Sequence, residues 1–297
     1  MKRFSSMLAL RQSICMLVSL LLLSASCSKS DDYEYIDDTQ QEKGKVTPRV
    51  TDASGKETLL TANSEMGVYV TNGDGDVTLL TLSVGTDGSI VLPPETEGKS
   101  MIAYLPFQEE WGDNALTETK QFTVKEDQST VDDFNQSDLI IGTMNGVTRA
   151  AGSMTFTHMM AQVLIHIVDA TGTNDFENCS VMLHDVKSSV NVRLSEQSVS
   201  TVGDVRDDIK MLTSSVSDYR LSVKAIVAPQ EIEAGTRFIV FTNGGYSTRC
   251  SIPQIADMKS GMTYIVNMRL TKNGLEFVGS KINDWTEEEE DELTIYS

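Results

Sequence analysis

The sequence comprises 297 residues and carries 24 Lys and Arg against 43 Asp and Glu, which gives a formal net charge of −19 at pH 7. A net charge this acidic argues against nucleic acid as a partner, because phosphate groups require a basic surface. The charge is typical of a strongly hydrated protein, and the length is sufficient for two domains of ordinary size.

The first residues have the pattern of a bacterial export signal. A basic start at Lys2-Arg3 is followed by an apolar run ending at Leu20–Leu23, which is short for a membrane span. Small residues, Ser24–Ser26, then precede Cys27. This order resembles a lipoprotein signal with a lipobox, which implies that the leader is removed and that lipid on Cys27 attaches the protein to the outer membrane. An ordinary secretory signal cleaved nearby and an uncleaved anchor are the alternatives.

The segment that follows Cys27 is polar and acidic, as in Asp31-Asp32 and Asp37-Asp38. Such a composition cannot bury enough apolar surface to order itself, so we predict a flexible tether as far as residue 44. The same segment resembles the acidic export signal of surface-exposed lipoproteins in some Gram-negative bacteria. This resemblance implies exposure at the cell surface.

Two of the four cysteines remain for the folded part of the chain. Cys15 leaves with the leader and Cys27 is used for lipid, so Cys179 and Cys250 are left. An oxidising compartment permits a disulfide between them. Two buried free thiols fit the sequence equally well, because a free cysteine behaves as a small core residue.

From Lys45 onward, apolar and polar residues alternate with period two, and turn residues separate the runs. The first predicted strand, Val46 to Thr51, contains Pro48, which cannot donate a ladder hydrogen bond and therefore indicates an edge or irregular strand. The longest predicted strand runs from Met154 to Val168. Short strands, frequent turns and the near absence of helical periodicity predict an all-β fold of two antiparallel β-sandwich domains.

The alternation is interrupted around residues 145–152, and we place the domain boundary there. The predicted organisation is a lipoprotein signal peptide at 1–26, a flexible acidic tether at 27–44, an N-terminal β-sandwich domain at 45–149, a C-terminal β-sandwich domain at 150–286 and an acidic tail at 287–297.

One loop between predicted strands places Asn72, Asp74 and Asp76 at the one-three-five spacing of a calcium loop. However, Val77 stands where such a loop requires glycine, and Ser83 stands where it requires the bidentate glutamate. We therefore predict a plain turn and no metal site.

The sequence contains no phosphate-binding glycine loop, no paired-histidine zinc motif and no nucleophile elbow. His158 and His166, eight residues apart on one predicted strand, would lie about 26 Å apart and cannot share a metal. Carboxylates are abundant, but nothing marks out one pair for glycoside hydrolysis. We predict a protein that is not an enzyme and needs no cofactor.

Trp111 lies in a predicted loop and is one of only two tryptophans in the chain. As a loop aromatic, it is the candidate contact for a glycan or a host surface. The alternative is a ring packed onto the core, because large aromatic side chains bury well.

Several short segments, in a fixed order, resemble the fimbrillin family, the lipoprotein-derived subunits of type V pili. The matching segments are the lipobox at Cys27, Met66–Val70, Ile102–Phe107, Phe156–Val163, Ala228-Pro229-Gln230, Gly261–Met268 and Ile282–Trp285. The resemblance implies two transthyretin-like sandwich domains, export as a lipoprotein, and assembly with other pilus subunits by β-strand exchange. In that process a protease cuts after a basic residue, and Arg49, or less well Lys45, lies where the cut would fall.

This chain departs from the family pattern at both ends. Pro48 interrupts the first strand, and the tail carries the acidic run Glu287–Glu292, a poor donor strand because inward-facing acidic side chains would be buried. These departures favour a tip, anchor or accessory subunit over a shaft subunit. The alternative function is a monomeric cell-surface lipoprotein that binds a glycan or a host protein.

Overall fold

Alternating apolar and polar residues produce strands through most of the chain. The computed structural model describes residues 44–51, 56–145, 154–172, 176–203, 205–217, 220–253, 255 and 257–285. In the first half of these residues the elements are β1 (Lys45–Val46), β2 (Arg49–Thr51), β3 (Glu57–Leu59), β4 (Glu65–Thr71), β5 (Val77–Ser83), β6 (Ile90–Val91), β7 (Ser100–Leu105), β8 (Lys120–Thr123), α1 (Val131–Gln136), β9 (Ile140–Met144) and β10 (Thr155–His158).

The second half continues as strands. They are β11 (Ala161–Asp169), β12 (Cys179–Lys187), β13 (Ser189–Arg193), β14 (Ser198–Thr201), β15 (Arg206–Lys210), β16 (Leu212–Ser217), β17 (Arg220–Val227), β18 (Ile239–Asn243), β19 (Tyr246–Cys250), β20 (Met262–Thr271) and β21 (Gly274–Asp284). The all-β sandwich fold predicted from the sequence is confirmed.

A seven-stranded sheet in the order β3-β2-β10-β9-β7-β4-β5 carries the first half. Its neighbours are antiparallel except for the parallel pair β2–β10. Period-two alternation sends Met66, Val68 and Val70 to one face, where the two-stranded sheet β1-β6 packs against them through Val46 and Ile90. That face and its cover form the smaller hydrophobic cluster.

A larger cluster lies between the sheets of the second half. The five-stranded sheet β16-β17-β11-β20-β21 faces the four-stranded sheet β15-β12-β18-β19, and β14-β13-β8 forms a third sheet. Val163, Ile165 and Ile167 of β11 are fully buried against residues such as Leu183 and Phe241. β11 is the central strand, antiparallel to β17 and parallel to β20.

Elements of the first half pair and pack with elements of the second half. β8 comes from the first half but pairs with β13, and the Gln128 side chain hydrogen-bonds both the N–H and the C=O of Ile226 in β17, each at 2.8 Å. The larger cluster also includes Tyr69 and Tyr104 from the far face of the seven-stranded sheet. The described residues thus lie in one compact unit, and a division into domains at residues 149 and 150 stays a prediction.

The stretch from Met154 to Val168 was predicted as one strand, and this is wrong. It forms β10 in the seven-stranded sheet and β11 in the five-stranded sheet, and the chain passes between them at Met159-Met160. Both methionines are buried, so the apolar alternation continues unbroken across the crossing. The sequence reasoning also missed β12, β15 and β16, whose alternation is weaker.

Candidate functional site: the N-terminal strand and its groove

The candidate site is the groove that holds residues 44–51, which we call the N-terminal segment. Proline lacks an N–H, so Pro48 ends one ladder and separates β1 from β2. The segment therefore changes sheets within a few residues. β1 pairs antiparallel with β6, and β2 lies between β3 and β10.

Both valines of the N-terminal segment are buried. Val46 is 2% exposed and Val50 is 5% exposed, and both belong to the smaller hydrophobic cluster. The groove around them includes Ile90 from β6 and Phe156 from β10. Burying one valine contributes roughly 2 kcal/mol, so the segment closes the first sheet with a modest free energy.

Polar contacts hold β1 at its outer end. The Lys45 Nζ lies 2.7 Å from an Asp87 carboxylate oxygen, and the Leu92 N–H donates to the carbonyl of Gly44 at 2.8 Å. The Lys45 ammonium, followed by the Ser89 hydroxyl and N–H, holds the pKa of Asp87 below its usual range. Asp87 is solvent-exposed, so this ion pair contributes little to stability.

Arg49 lies in the middle of the N-terminal segment, with backbone neighbours on both sides. Its N–H donates to the carbonyl of Met154 at 2.9 Å, and its register partners are Leu59 in β3 and Thr155 in β10. A protease requires an extended, unpaired substrate strand. Cleavage after Arg49 therefore requires local opening of β2, whose pairing with β10 involves only two residues.

Trp111 lies in the core and not on the surface. It ends a 3-10 turn at Glu109–Trp111, is 2% exposed, and stacks on Tyr104 with ring centroids 4.7 Å apart. Its Nε1–H donates to the carbonyl of Gln121 at 3.2 Å. This burial favours the core alternative over a contact with a glycan, because the ring faces are already covered.

Cys179 and Cys250 are not joined by a disulfide in the structure. Cys179 pairs with Asn243 at one end of β18, and Cys250 pairs with Ile239 at the other end, on opposite sides of that strand. Two strand spacings and four residues separate them, well beyond the reach of a disulfide. Burial raises the pKa of the Cys250 thiol.

Cys27 lies outside the described residues. Among the residues that the structure describes, no helix is both long enough and apolar enough to cross a membrane. Within the same residues, no group of three or more His, Cys, Asp or Glu side chains is placed to hold a metal ion.

Several of the segments that resemble the fimbrillin family contact other elements of the fold through specific side chains. The ring of His158 stacks parallel on Trp285 with centroids 4.2 Å apart, and its Nδ1 lies 2.9 Å from Asp138. The Gln230 side chain hydrogen-bonds the backbone of Lys187 and Ala228. Sequence reasoning noted these segments but missed the residues lining the groove, such as Ile90, whose pairing with β1 no local pattern shows.

The geometry defines a class: an all-β sandwich protein whose first sheet is completed by a short N-terminal segment. The fimbrillin-like family profile matches residues 48–285, most of the chain. The chain therefore belongs to the fimbrillin-like family. Family membership assigns it the structural role of a pilus subunit at the cell surface and implies assembly with other pilus subunits.

Two crystal structures share the fold. A candidate cell adhesion protein of Bacteroides ovatus superimposes with a TM-score of 0.63 at 14% identity, over 82% of this chain and 98% of that one. Another from Bacteroides uniformis gives a TM-score of 0.57 at 18% identity, over 82% of this chain and all of that one. No curated protein sequence is significantly similar to the chain.

Proposed function

We propose that the protein is exported as a lipoprotein with lipid on Cys27 and then becomes a strand acceptor in pilus assembly. Proteolysis after Arg49 removes the lipid and β1 together, and a strand of another subunit fills the groove. The observation that carries the proposal is the pairing of β1 with β6 through only two residues while Val46 is 2% exposed.

Removing β1 exposes two kinds of unsatisfied surface. The edge of β6 loses its partner strand, and Ile90 and Leu92 lose the apolar cover of Val46. An unpaired strand edge beside an apolar groove is a template for strand addition. A cut after Lys45 would leave Val46 in place, so Arg49 is the better site.

We place the protein at a filament end or in an accessory position. A shaft subunit both accepts and donates a strand. The acidic run Glu287–Glu292 is poorly suited to donation, because carboxylates would be buried in the acceptor groove. A subunit that accepts a strand without donating one ends the filament, whether or not it also contacts a host surface or glycan.

Limited trypsin digestion, N-terminal sequencing and size-exclusion chromatography test strand acceptance. The expected result is a stable core that begins at Val50, unfolds more readily than the intact protein and self-associates. An Arg49→Gln variant should resist this cut, and a matched Lys56→Gln variant should not. A core that begins at Val50 but stays monomeric and equally stable contradicts the proposal.

Radioactive palmitate labelling tests lipid attachment. Cys27→Ala should abolish labelling and leave the leader uncleaved or the protein released. Cys15→Ala, within the leader, is the matched control and should be labelled normally. Normal labelling of the Cys27→Ala variant would exclude lipid attachment at that residue.

A further inference from the structure

The outer face of the five-stranded sheet is the second unusual surface of the molecule. It is the side turned away from the core, and it carries the alternate residues of β17, β11, β20 and β21. Its charged members are Arg220 and Lys224 of β17, Arg269 of β20, and Glu276 and Lys281 of β21.

This outer face is basic in a protein whose formal net charge is −19. Four cations, Arg220, Lys224, Arg269 and Lys281, stand against one acid, Glu276. Among the described residues, none lies within ion-pair distance of Arg220, Arg269 or Lys281. A concentration of cations on one face of an acidic protein indicates an anionic occupant.

One row across the outer face places a lysine at each end. The register aligns Lys224 with Leu164, Leu164 with Ile265, and Ile265 with Lys281. Leu164 is 8% exposed and Ile265 is 5% exposed, so the row offers charge at its two ends and little open apolar area between them. The row therefore fits an occupant whose carboxylates reach both lysines.

A cleft of about 850 Å³ opens at the lower end of the outer face. Its lining includes Leu164, Lys224 and Thr263 from the outer face, Phe134 and Asp132 from α1, Asp138, and Trp285. The Trp285 N–H donates to the carbonyl of Gly261 at 3.0 Å, which fixes the end of β21 beside the cleft. The described part of the chain therefore ends at the edge of the basic surface.

Those residues have the complementary chemistry. Residues 286–297, which we call the tail, contain the acidic run Glu287–Glu292 followed by Leu293, Ile295 and Tyr296. Twelve extended residues reach about 40 Å, and the ten residues of β20 span about 33 Å. The tail is long enough to cross the whole outer face from its point of attachment.

We propose that the tail of this chain docks on the outer face of its own five-stranded sheet. The carboxylates of the acidic run pair with Lys224, Lys281 and Arg269, and the apolar end residues extend the contact toward Val168. Attachment through Trp285 keeps the tail at a high effective concentration, which favours it over any separate anionic partner. The acidic run, unsuited to donation, thereby has a position within its own subunit.

Endoproteinase Glu-C, which cuts after glutamate, tests the docking on the full chain purified in detergent. In Lys224→Gln/Arg269→Gln/Lys281→Gln, the tail should be cut at least about tenfold faster than in the wild type, because only an undocked tail fits the protease. Lys99→Gln/Lys259→Gln/Lys272→Gln removes the same charge elsewhere and should leave the rate unchanged. Equal rates in both variants overturn the proposal.

A second measurement does not depend on the folding of a variant. The wild-type tail should be cut faster in 1 M NaCl than in 20 mM NaCl, after correction with a free peptide of residues 286–297, since salt screens exposed ion pairs. A rate that falls as protein concentration rises would assign the face to the tail of a second copy. Equal binding of a sulfated polysaccharide before and after tail removal would assign it to a separate polyanion. Either result overturns docking within one chain.

Discussion

The N-terminal segment and β11 both bury apolar side chains but are held in different ways. β11 pairs with β17 over Ala161–Val168 and with β20 over Gln162–Asp169, so it has a partner along both edges. β1 pairs with β6 through two residues, and β2 pairs with β10 through two residues and with β3 through three. Burial alone therefore does not hold a strand in place. A buried strand with so short a ladder is expected to open more readily than β11.

The largest loss of stability is expected for a substitution in β11. Ile165→Ala in β11 should lower the free energy of unfolding by about 4 kcal/mol, because Ile165 is fully buried and its truncation leaves a cavity in the larger cluster. Urea denaturation followed by circular dichroism measures the change. The exposed Val278→Ala in β21 is the control and should change stability little. A loss below about 1 kcal/mol for Ile165→Ala would show that β11 is not the centre of stability.

A substitution on the far face of the seven-stranded sheet should also lower the stability of the fold. A Cβ at Gly67 would lie 2.2 Å from the Tyr104 ring, which stacks on Trp111, so Gly67→Ala must displace that aromatic cluster. We expect a loss of about 2 kcal/mol in thermal or urea unfolding.

The matched control for that substitution is Gly73→Ala, because a Cβ at Gly73 meets no atom within 4 Å. It should be close to neutral. If the two alanine variants are equally stable, the contact between Gly67 and Tyr104 does not constrain the sheet.

A substitution in β1 should have a smaller and more local effect on stability. Val46→Ala should cost roughly 1.5 kcal/mol, since it removes two methyl groups from the smaller cluster. Hydrogen exchange should accelerate in β6 and leave β11 unchanged, because opening of β1 is a local event. A Val46→Ala loss as large as that of Ile165→Ala, with faster exchange in β11, would remove the distinction between the two strands.

The smallest expected effect is a pH dependence at the outer end of β1. The pKa of Asp87 is lowered in the folded state, chiefly by Lys45, so its contribution is present above the ordinary carboxyl pKa and is lost as pH falls through the folded value. Asp87→Asn should lower stability slightly at pH 7 and not at all in strong acid, as measured by urea unfolding at each pH. Asp74→Asn, in the β4–β5 turn, is the control. A constant Asp87→Asn deficit at every pH would assign the effect to packing.

The all-β fold and the family resemblance could be read from the sequence because both rest on local patterns. The alternation in β20, interrupted at Ile265, and the ordered segments around Tyr104, His158 and Trp285 each lie within short windows. The turn at Asn72 was likewise predicted from its own residues. Period-two alternation predicts which side chains of a strand are buried, but it does not predict which strand pairs with it.

The groove could not be predicted, since its pairings are distant in sequence. Arg49 meets Thr155, Val46 meets Ile90, and Gln128 bonds Ile226 across 98 positions. The sequence did not reveal the break between β10 and β11 at Met159-Met160, because both methionines are buried and apolar residues continue through it. Trp111 was predicted as a loop residue, but only the fold shows Tyr104 beneath its ring.

The parallel pairing of β2 with β10 constrains the order in which the chain can fold. β2 precedes its partner by about a hundred residues, so it cannot complete this pairing until Thr155 and Phe156 are in place. Local hairpins such as β4–β5 should form before that, which gives a stage at which the first sheet lacks β2. Pulse-labelled hydrogen exchange during refolding should protect the Val68 amide before that of Val50, and the reverse order would contradict this sequence of events.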